Sequence, residues 1–114
     1  FLYCVVQDAL SEYPLQKNSF DVIFDIGVFC WNGTRFSQAT QKEYVESILL
    51  LLKDGGMWIL HGDSIEDDPE YMVDFEKTIY PYFDLVDFMD YKKIETIECP
   101  THGTVWEVRF LRKK

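Results

Sequence analysis

The sequence predicts an α/β fold, a three-layer α/β/α arrangement around a mostly parallel sheet that an antiparallel C-terminal hairpin closes. Three observations carry that expectation. The stretch Asn18-Ser19-Phe20-Asp21-Val22-Ile23-Phe24-Asp25-Ile26-Gly27-Val28-Phe29 reads as a buried strand ending in an acidic-plus-glycine turn. Further on, Leu51-Leu52-Lys53-Asp54-Gly55-Gly56-Met57-Trp58-Ile59-Leu60 reads as a helix end, a two-glycine stop and a second buried strand. Near the C-terminus, Thr104 to Phe110 alternates apolar and charged residues, as a half-exposed last strand does. The first two segments form a β-α-β unit, and ligands of open parallel sheets gather at the carboxyl ends of such strands.

Taken in order, residues 1–7 (Phe-Leu-Tyr-Cys-Val-Val-Gln) are β-branched and aromatic enough for a short buried strand, and Pro14 breaks the segment that follows. Lys17-Asn18-Ser19 is a polar turn. Phe20 to Asp25 is apolar on both faces apart from Asp21, the pattern of a strand in the middle of a parallel sheet. Thr40-Gln41-Lys42-Glu43 fits a capping box. Tyr44, Val45, Ile48, Leu51 and Leu52 then recur at helical spacing, and Gly55 or Gly56 suits the left-handed residue that ends a helix. Met57 to Leu60 is the next strand, followed at once by His61-Gly62-Asp63-Ser64. Asp68-Pro69 opens a helix with Met72, Phe75 and Ile79 on one face, which Pro81 stops. Phe83 to Asp90 has strand composition, Tyr91 to Cys99 is its continuation or a loop, and Thr101-His102-Gly103 makes the last turn.

Bulk properties narrow the function classes. At 114 residues the chain is one domain at most, and small for a sheet covered on both faces. Hydrophobic residues at 47% and aromatics at 17% exclude a disordered chain. A net charge of −9 repels phosphate backbones and argues against nucleic acid as a partner. The basic run Arg109, Arg112, Lys113 and Lys114 reads as the solvated edge of the last strand. Cys4, Cys30 and Cys99 are odd in number and lack CxxC spacing, so neither a zinc site nor a disulfide framework is expected, and a reducing, cytoplasmic setting fits. No apolar run reaches membrane-spanning length. The chain opens with Phe1 inside a strand-like segment, from which residue 1 is expected not to be the natural start.

The order of these signals resembles the C-terminal two-thirds of a class I S-adenosylmethionine-dependent methyltransferase, a Rossmann-like enzyme family. The residues that carry the resemblance are Asp8-Ala9 after a strand, Ser19-Phe20-Asp21-Val22-Ile23, Leu51 to Gly56, and the closing strand with Val105-Trp106-Glu107-Val108. The turn Phe24 to Phe29 is similar to that of thiopurine-type small-molecule enzymes and of certain protein-lysine methyltransferases, both of which usually carry a basic or polar residue where this chain has Ile26. The resemblance implies that residues 1–114 are a single partial methyltransferase-like domain, N-terminally truncated. The family's first two strands, its glycine-rich loop and the acidic residue that holds the cofactor ribose have no counterpart here. It implies S-adenosyl-L-methionine as cofactor, with Asp8 and Ala9 beside the adenine and Asp25, Ile26 and Gly27 along the methionine end. A carboxylate at a strand end can accept a base-edge hydrogen bond, and a glycine lets backbone approach a ligand closely. It also implies a small-molecule acceptor first and a protein side chain second, with Phe29, Cys30 and Trp31 near the acceptor pocket. Methyl transfer needs little acid–base help, so no obligatory catalytic residue is expected.

Each of these residues also has a plain structural reading. Asp8 caps a turn or contacts the cofactor. Asp25 satisfies turn amides or lines the site. Phe29 and Trp31 pack in the core or wall the acceptor pocket, where aromatic faces would stabilise a cationic donor. His61 is a substrate-side base or a bystander, and with Asp63 it makes too few ligands for a metal site. Cys30 has no assignable partner base. The acidic run Asp63, Glu66, Asp67, Asp68 and Glu70 is explained by the helix start it precedes. Two other readings stand beside the methyltransferase: a catalytically inactive methyltransferase-like interaction module, and another nucleotide-binding α/β enzyme such as a dehydrogenase, which explains the closing strand less well. Without the missing strands, residues 1–7 must pair beside residues 20–25 or leave an edge unpaired, so the isolated chain is expected to self-associate and to bind cofactor weakly.

Overall fold

The structure, a computed structural model, describes residues 17–26, 29, 36–62, 72–98 and 105–114. The strand expected over residues 1–7 lies outside the described residues. Strand β1 (Phe20–Ile26) leads to helix α1 (Gln38–Leu51), which runs directly into strand β2 (Leu52–Gly62). A one-turn helix α2 (Phe75–Thr78) and three further strands follow: β3 (Phe83–Leu85), β4 (Ile94–Glu98) and β5 (Val105–Lys113).

These strands form one mixed sheet in the order β1-β2-β5-β3, with β4 also on β5. β1 and β2 are parallel, and β5 runs antiparallel to β2, β3 and β4. The far edge of β5 is shared. β3 takes its last residues (Leu111 to Lys113) and β4 the stretch from Val105 to Arg109. The closing antiparallel pair is therefore present, but among the described residues the sheet is not mostly parallel. Among the described residues β1 lies beside β2 and ends the strand path, and the strand expected over residues 1–7 lies outside them.

Alternation along each strand divides the side chains between two faces. One face carries Ile23, Trp58, Leu60 and Leu111 and is covered by Tyr44, Val45 and Ile48 of α1, by Ile79 just after α2, and by Phe83. Trp58 sits at its centre, with Phe29 and Phe83 rings 5.5 and 5.4 Å away. The other face carries Met57, Ile59, Val108 and Phe110, and Val86 and Phe88 pack on it. Phe88 and Tyr91 stack on Phe110 there. Both described helices lie on the first face, so two of the three expected layers are seen among the described residues.

Helix α1 starts earlier than the capping-box pattern suggests. Ser37 is its N-cap, accepting from the Thr40 amide, and Thr40 lies inside the first turn. A serine hydroxyl three residues ahead of Thr40 satisfies the free amide, so Glu43 is left exposed and uninvolved in the cap. The helix ends at Leu51 without a glycine. Its terminal carbonyls are taken instead by the Asn18 and Ser19 amides, which bond Leu50 and Leu51, and by the Lys113 ammonium, which bonds Leu49 and Leu52.

The glycines act later. Gly55 has a φ of +73°, and between Phe20↔Leu52 and Val22↔Met57 the pairing with β1 slips to admit extra residues on β2. Gly56 has no room for a side chain, since a Cβ there would meet the Lys53 carbonyl oxygen at 2.8 Å. The helix expected from Asp68-Pro69 is also shorter. Met72 is non-helical and exposed, and the described helix begins only after Asp74, whose side chain accepts from the Lys77 amide. Nor is the basic C-terminal run wholly solvated. Arg109 and Lys113 are largely covered, while Arg112 and Lys114 are exposed.

Candidate functional site at the carboxyl ends of the parallel strands

β1 and β2 end side by side, with Asp25 paired to Leu60 and Ile26 to His61. β5 continues the same rows: Arg109 lies opposite Leu60, Val108 opposite His61 and Glu107 opposite Gly62. Alternation then separates the candidate residues. Ile26 and His61 are neighbours on the face away from the helices. Asp25 and Phe29 belong to the helix-covered side.

Asp25 is 2% exposed, and both its oxygens are engaged. Oδ2 accepts from the Tyr44 hydroxyl at 2.6 Å, and Oδ1 accepts from the Phe29 amide at 3.3 Å. At 2.6 Å this is a short O–H···O bond, and it satisfies a buried polar group. Its effect is to tie the end of β1 to the middle of α1 and to hold Phe29 close to it. Phe29 lands there, 3% exposed, stacked on Tyr44 at 5.2 Å and edge-on to Trp58. Ile26, in contrast, is 63% exposed.

His61 is half-buried, and that burial lowers its pKa below the ordinary value by desolvating the charged form. The ring is therefore neutral at pH 7 and chemically able to take a proton. Opposite Leu60, the Arg109 guanidinium lies 4.0 Å from the centre of the Phe75 ring and 2.7 Å from the Glu107 carboxylate. Sequence reasoning missed this arrangement and the Tyr44–Asp25 bond alike. Tyr44 reads as one more apolar position on a helical stripe. Only the alternation of β5, with Glu107 and Arg109 in phase with Leu111, hinted at the former.

Asp8, Ala9, Gly27 and Trp31 lie outside the described residues. Among the described residues no group of three His, Cys, Asp or Glu side chains is placed to hold a metal ion. No described helix is long and apolar enough to cross a membrane. A groove of about 620 Å³ opens at the other end of the sheet, between Leu49 and Leu50 of α1 and Pro81 and Tyr82. It is remote from the strand ends that would hold a nucleotide-like ligand.

No protein-family model and no curated protein sequence matches the chain. Solved structures do match. One is the Burkholderia thailandensis 1,6-didemethyltoxoflavin-N1-methyltransferase with bound 1,6-didemethyltoxoflavin and S-adenosylhomocysteine, at a TM-score of 0.68 and 17% identity over 96% of this chain. The likeness is one of fold. A second, from work on the conversion of a disulfide bond into a thioacetal group during echinomycin biosynthesis, matches at a TM-score of 0.55 and 15% identity, again over 96% of this chain. The chain spans only 50% and 56% of these two neighbours. Its architecture is thus methyltransferase-like, and it corresponds to about half of such a protein.

Proposed function

We propose that this chain is part of an S-adenosylmethionine-dependent methyltransferase domain that acts on a small molecule. The observation that carries the reading is the fold likeness, over nearly the whole chain, to a small-molecule methyltransferase crystallised with S-adenosylhomocysteine and its substrate. The sequence resemblance supports it as well.

In this reading the carboxyl ends of β1 and β2 form part of the methyl-transfer site. Bound S-adenosylmethionine supplies a methyl group on a sulfonium, whose departure as a neutral thioether needs no acid. What remains for the protein is to place the acceptor and exclude water. Among the described residues, the fit to the cofactor is partial. Asp25 has its carboxylate turned inward, so its contribution is to fix the turn carrying Ile26 and Gly27 along the methionine end. Asp8 and Ala9 would take the adenine. His61, neutral and adjacent to Ile26, would receive the acceptor's proton, and Trp31 would wall the acceptor pocket. Phe29 would support that wall from the core side. A small-molecule partner suits the acidic charge better than nucleic acid does.

The alternative is a catalytically inactive methyltransferase-like interaction module. The internal engagement of both Asp25 oxygens favours it, because that carboxylate has its strongest bonds within the protein. Isothermal titration of S-adenosylhomocysteine into the polypeptide made from the complete open reading frame decides between them. Saturable micromolar binding is expected, and absence of binding would remove the enzyme reading in favour of the module.

A further inference from the structure

We propose that Arg109 and Glu107 of β5 are the pair that reads the methyl acceptor, and that they recognise a neutral molecule by a lactam edge, a carbonyl beside an N–H. That role rests on the methyltransferase reading and names the class of acceptor within it. Two rows at the carboxyl ends of the parallel strands carry the pair. In the first, Asp25, Leu60 and Arg109 lie side by side across β1, β2 and β5. In the next, Glu107 lies opposite Gly62, which has no side chain to set beside the carboxylate. Both rows belong to the helix-covered face, in phase with Trp58 and Leu111. The pair therefore borders the crevice outside the strand ends, where ligands of such sheets bind.

Packing alone does not account for the pair. Leu60 and Leu111 fill the same face with apolar side chains, and burying an ion pair seldom gains stability over such residues. Yet the Arg109 side chain is only 13% exposed. A contact with Glu107 at 2.7 Å and the Phe75 ring at 4.0 Å hold its guanidinium in place. Its Nε is buried and has no hydrogen-bond partner. A guanidinium carries five N–H donors in a fixed fork, so the contact with Glu107 leaves donors over. Buried donors are rarely left unpaired, and an acceptor atom brought by a ligand completes this one.

The two charges fix the class of ligand. An arginine only donates and an ionised glutamate only accepts, so the pair presents a donor next to an acceptor. A carboxylate ligand would meet Glu107 and a cationic one would meet Arg109, each beside a like charge. A neutral lactam matches both. Its carbonyl accepts from the guanidinium, and its N–H donates to the carboxylate. Glu107, 40% exposed, is the end of the pair open to an arriving molecule, and Arg109, seated on Phe75, is the fixed end. The pair sets which acceptor is held and takes no part in making or breaking bonds.

The test is calorimetric titration of carbostyril, a fused-ring lactam, and of its N-methyl derivative. The protein is the polypeptide made from the complete open reading frame, loaded with S-adenosylhomocysteine. The two probes differ only at the ring nitrogen, which bears a hydrogen in one and a methyl group in the other. Carbostyril is expected to bind at least about tenfold more tightly, the worth of one hydrogen bond to a charged group. The double substitution Arg109→Met/Glu107→Leu should abolish that preference and leave the affinity for S-adenosylhomocysteine in place. Glu107→Gln serves if the double variant fails to fold, and should narrow the preference at least about threefold. Equal affinities in the wild type, a preference that these substitutions leave intact, or binding of neither compound to the loaded protein would overturn the proposal. Failure of S-adenosylhomocysteine itself to bind is a separate result, which removes the methyltransferase reading and the role of the pair with it.

Discussion

Two phenylalanines five positions apart show how differently the two sides of β1 are built. Phe29 is 3% exposed and enclosed by Phe36, Tyr44 and Trp58, whereas Phe24 is 68% exposed. Hydrophobicity does not separate them, and both lie in the same strand-and-turn segment. Position does. Asp25 sits between them, and its bonds to Tyr44 and to the Phe29 amide hold Phe29 against α1. β1 is composed for burial on both faces, yet the described residues cover one. The covered face is the working core, and the side chains of the open one stand in solvent.

The comparison breaks most visibly at Trp58. It is fully buried between the helix layer and Phe83, so Trp58→Ala should cost about 3–5 kcal/mol in urea unfolding. A loss below ~1 kcal/mol would mean that the helix-covered face is not a packed core. A smaller effect is expected at the polar clamp. Tyr44→Phe keeps the ring stack on Phe29 but takes a donor from a buried carboxylate, for roughly 1–3 kcal/mol. If that variant is silent, Asp25 does not set the turn. The smallest effect is a pH dependence from His61, whose folded-state pKa lies below the ordinary 6.5. The unfolded chain then binds the proton first as pH falls, so this contribution is whole above pH 6.5 and is lost through the window below it. His61→Gln should flatten the slope of stability against pH in that window, and an unchanged slope would show that the imidazole is not desolvated.

Some of this was legible in the residues and some was not. The β-α-β unit was plain, because a run of apolar residues, a 3.6-residue stripe and a second apolar run leave few alternatives. Tyr44, Val45, Ile48 and Leu51 are buried on α1 as their spacing implied, and Leu52 is buried as the first residue of β2. Boundaries fared worse for local reasons. The hydroxyl of Ser37 pre-empted the Thr40 cap, and Gly55 served a bulge inside β2 because amides from residues 18 and 19 and the Lys113 ammonium had already satisfied the helix end. Those last partners come from 32 or more residues away in the chain, and no local pattern announces them. The same holds at the candidate site. That Ile26 and His61 would share a face follows from period-2 alternation and register, but which face stays open depends on what packs against β1. The reading of Phe29 left core and pocket wall both open, and its burial adds the core contacts without testing the wall beyond it.

One face of β1 is sealed and the other is open, and Phe29→Ala and Phe24→Ala measured side by side test that difference most directly. In urea unfolding of dilute protein, Phe29→Ala should cost about 3–5 kcal/mol and Phe24→Ala no more than ~0.5 kcal/mol, with equal m-values. Equal costs for the two variants would contradict the claim.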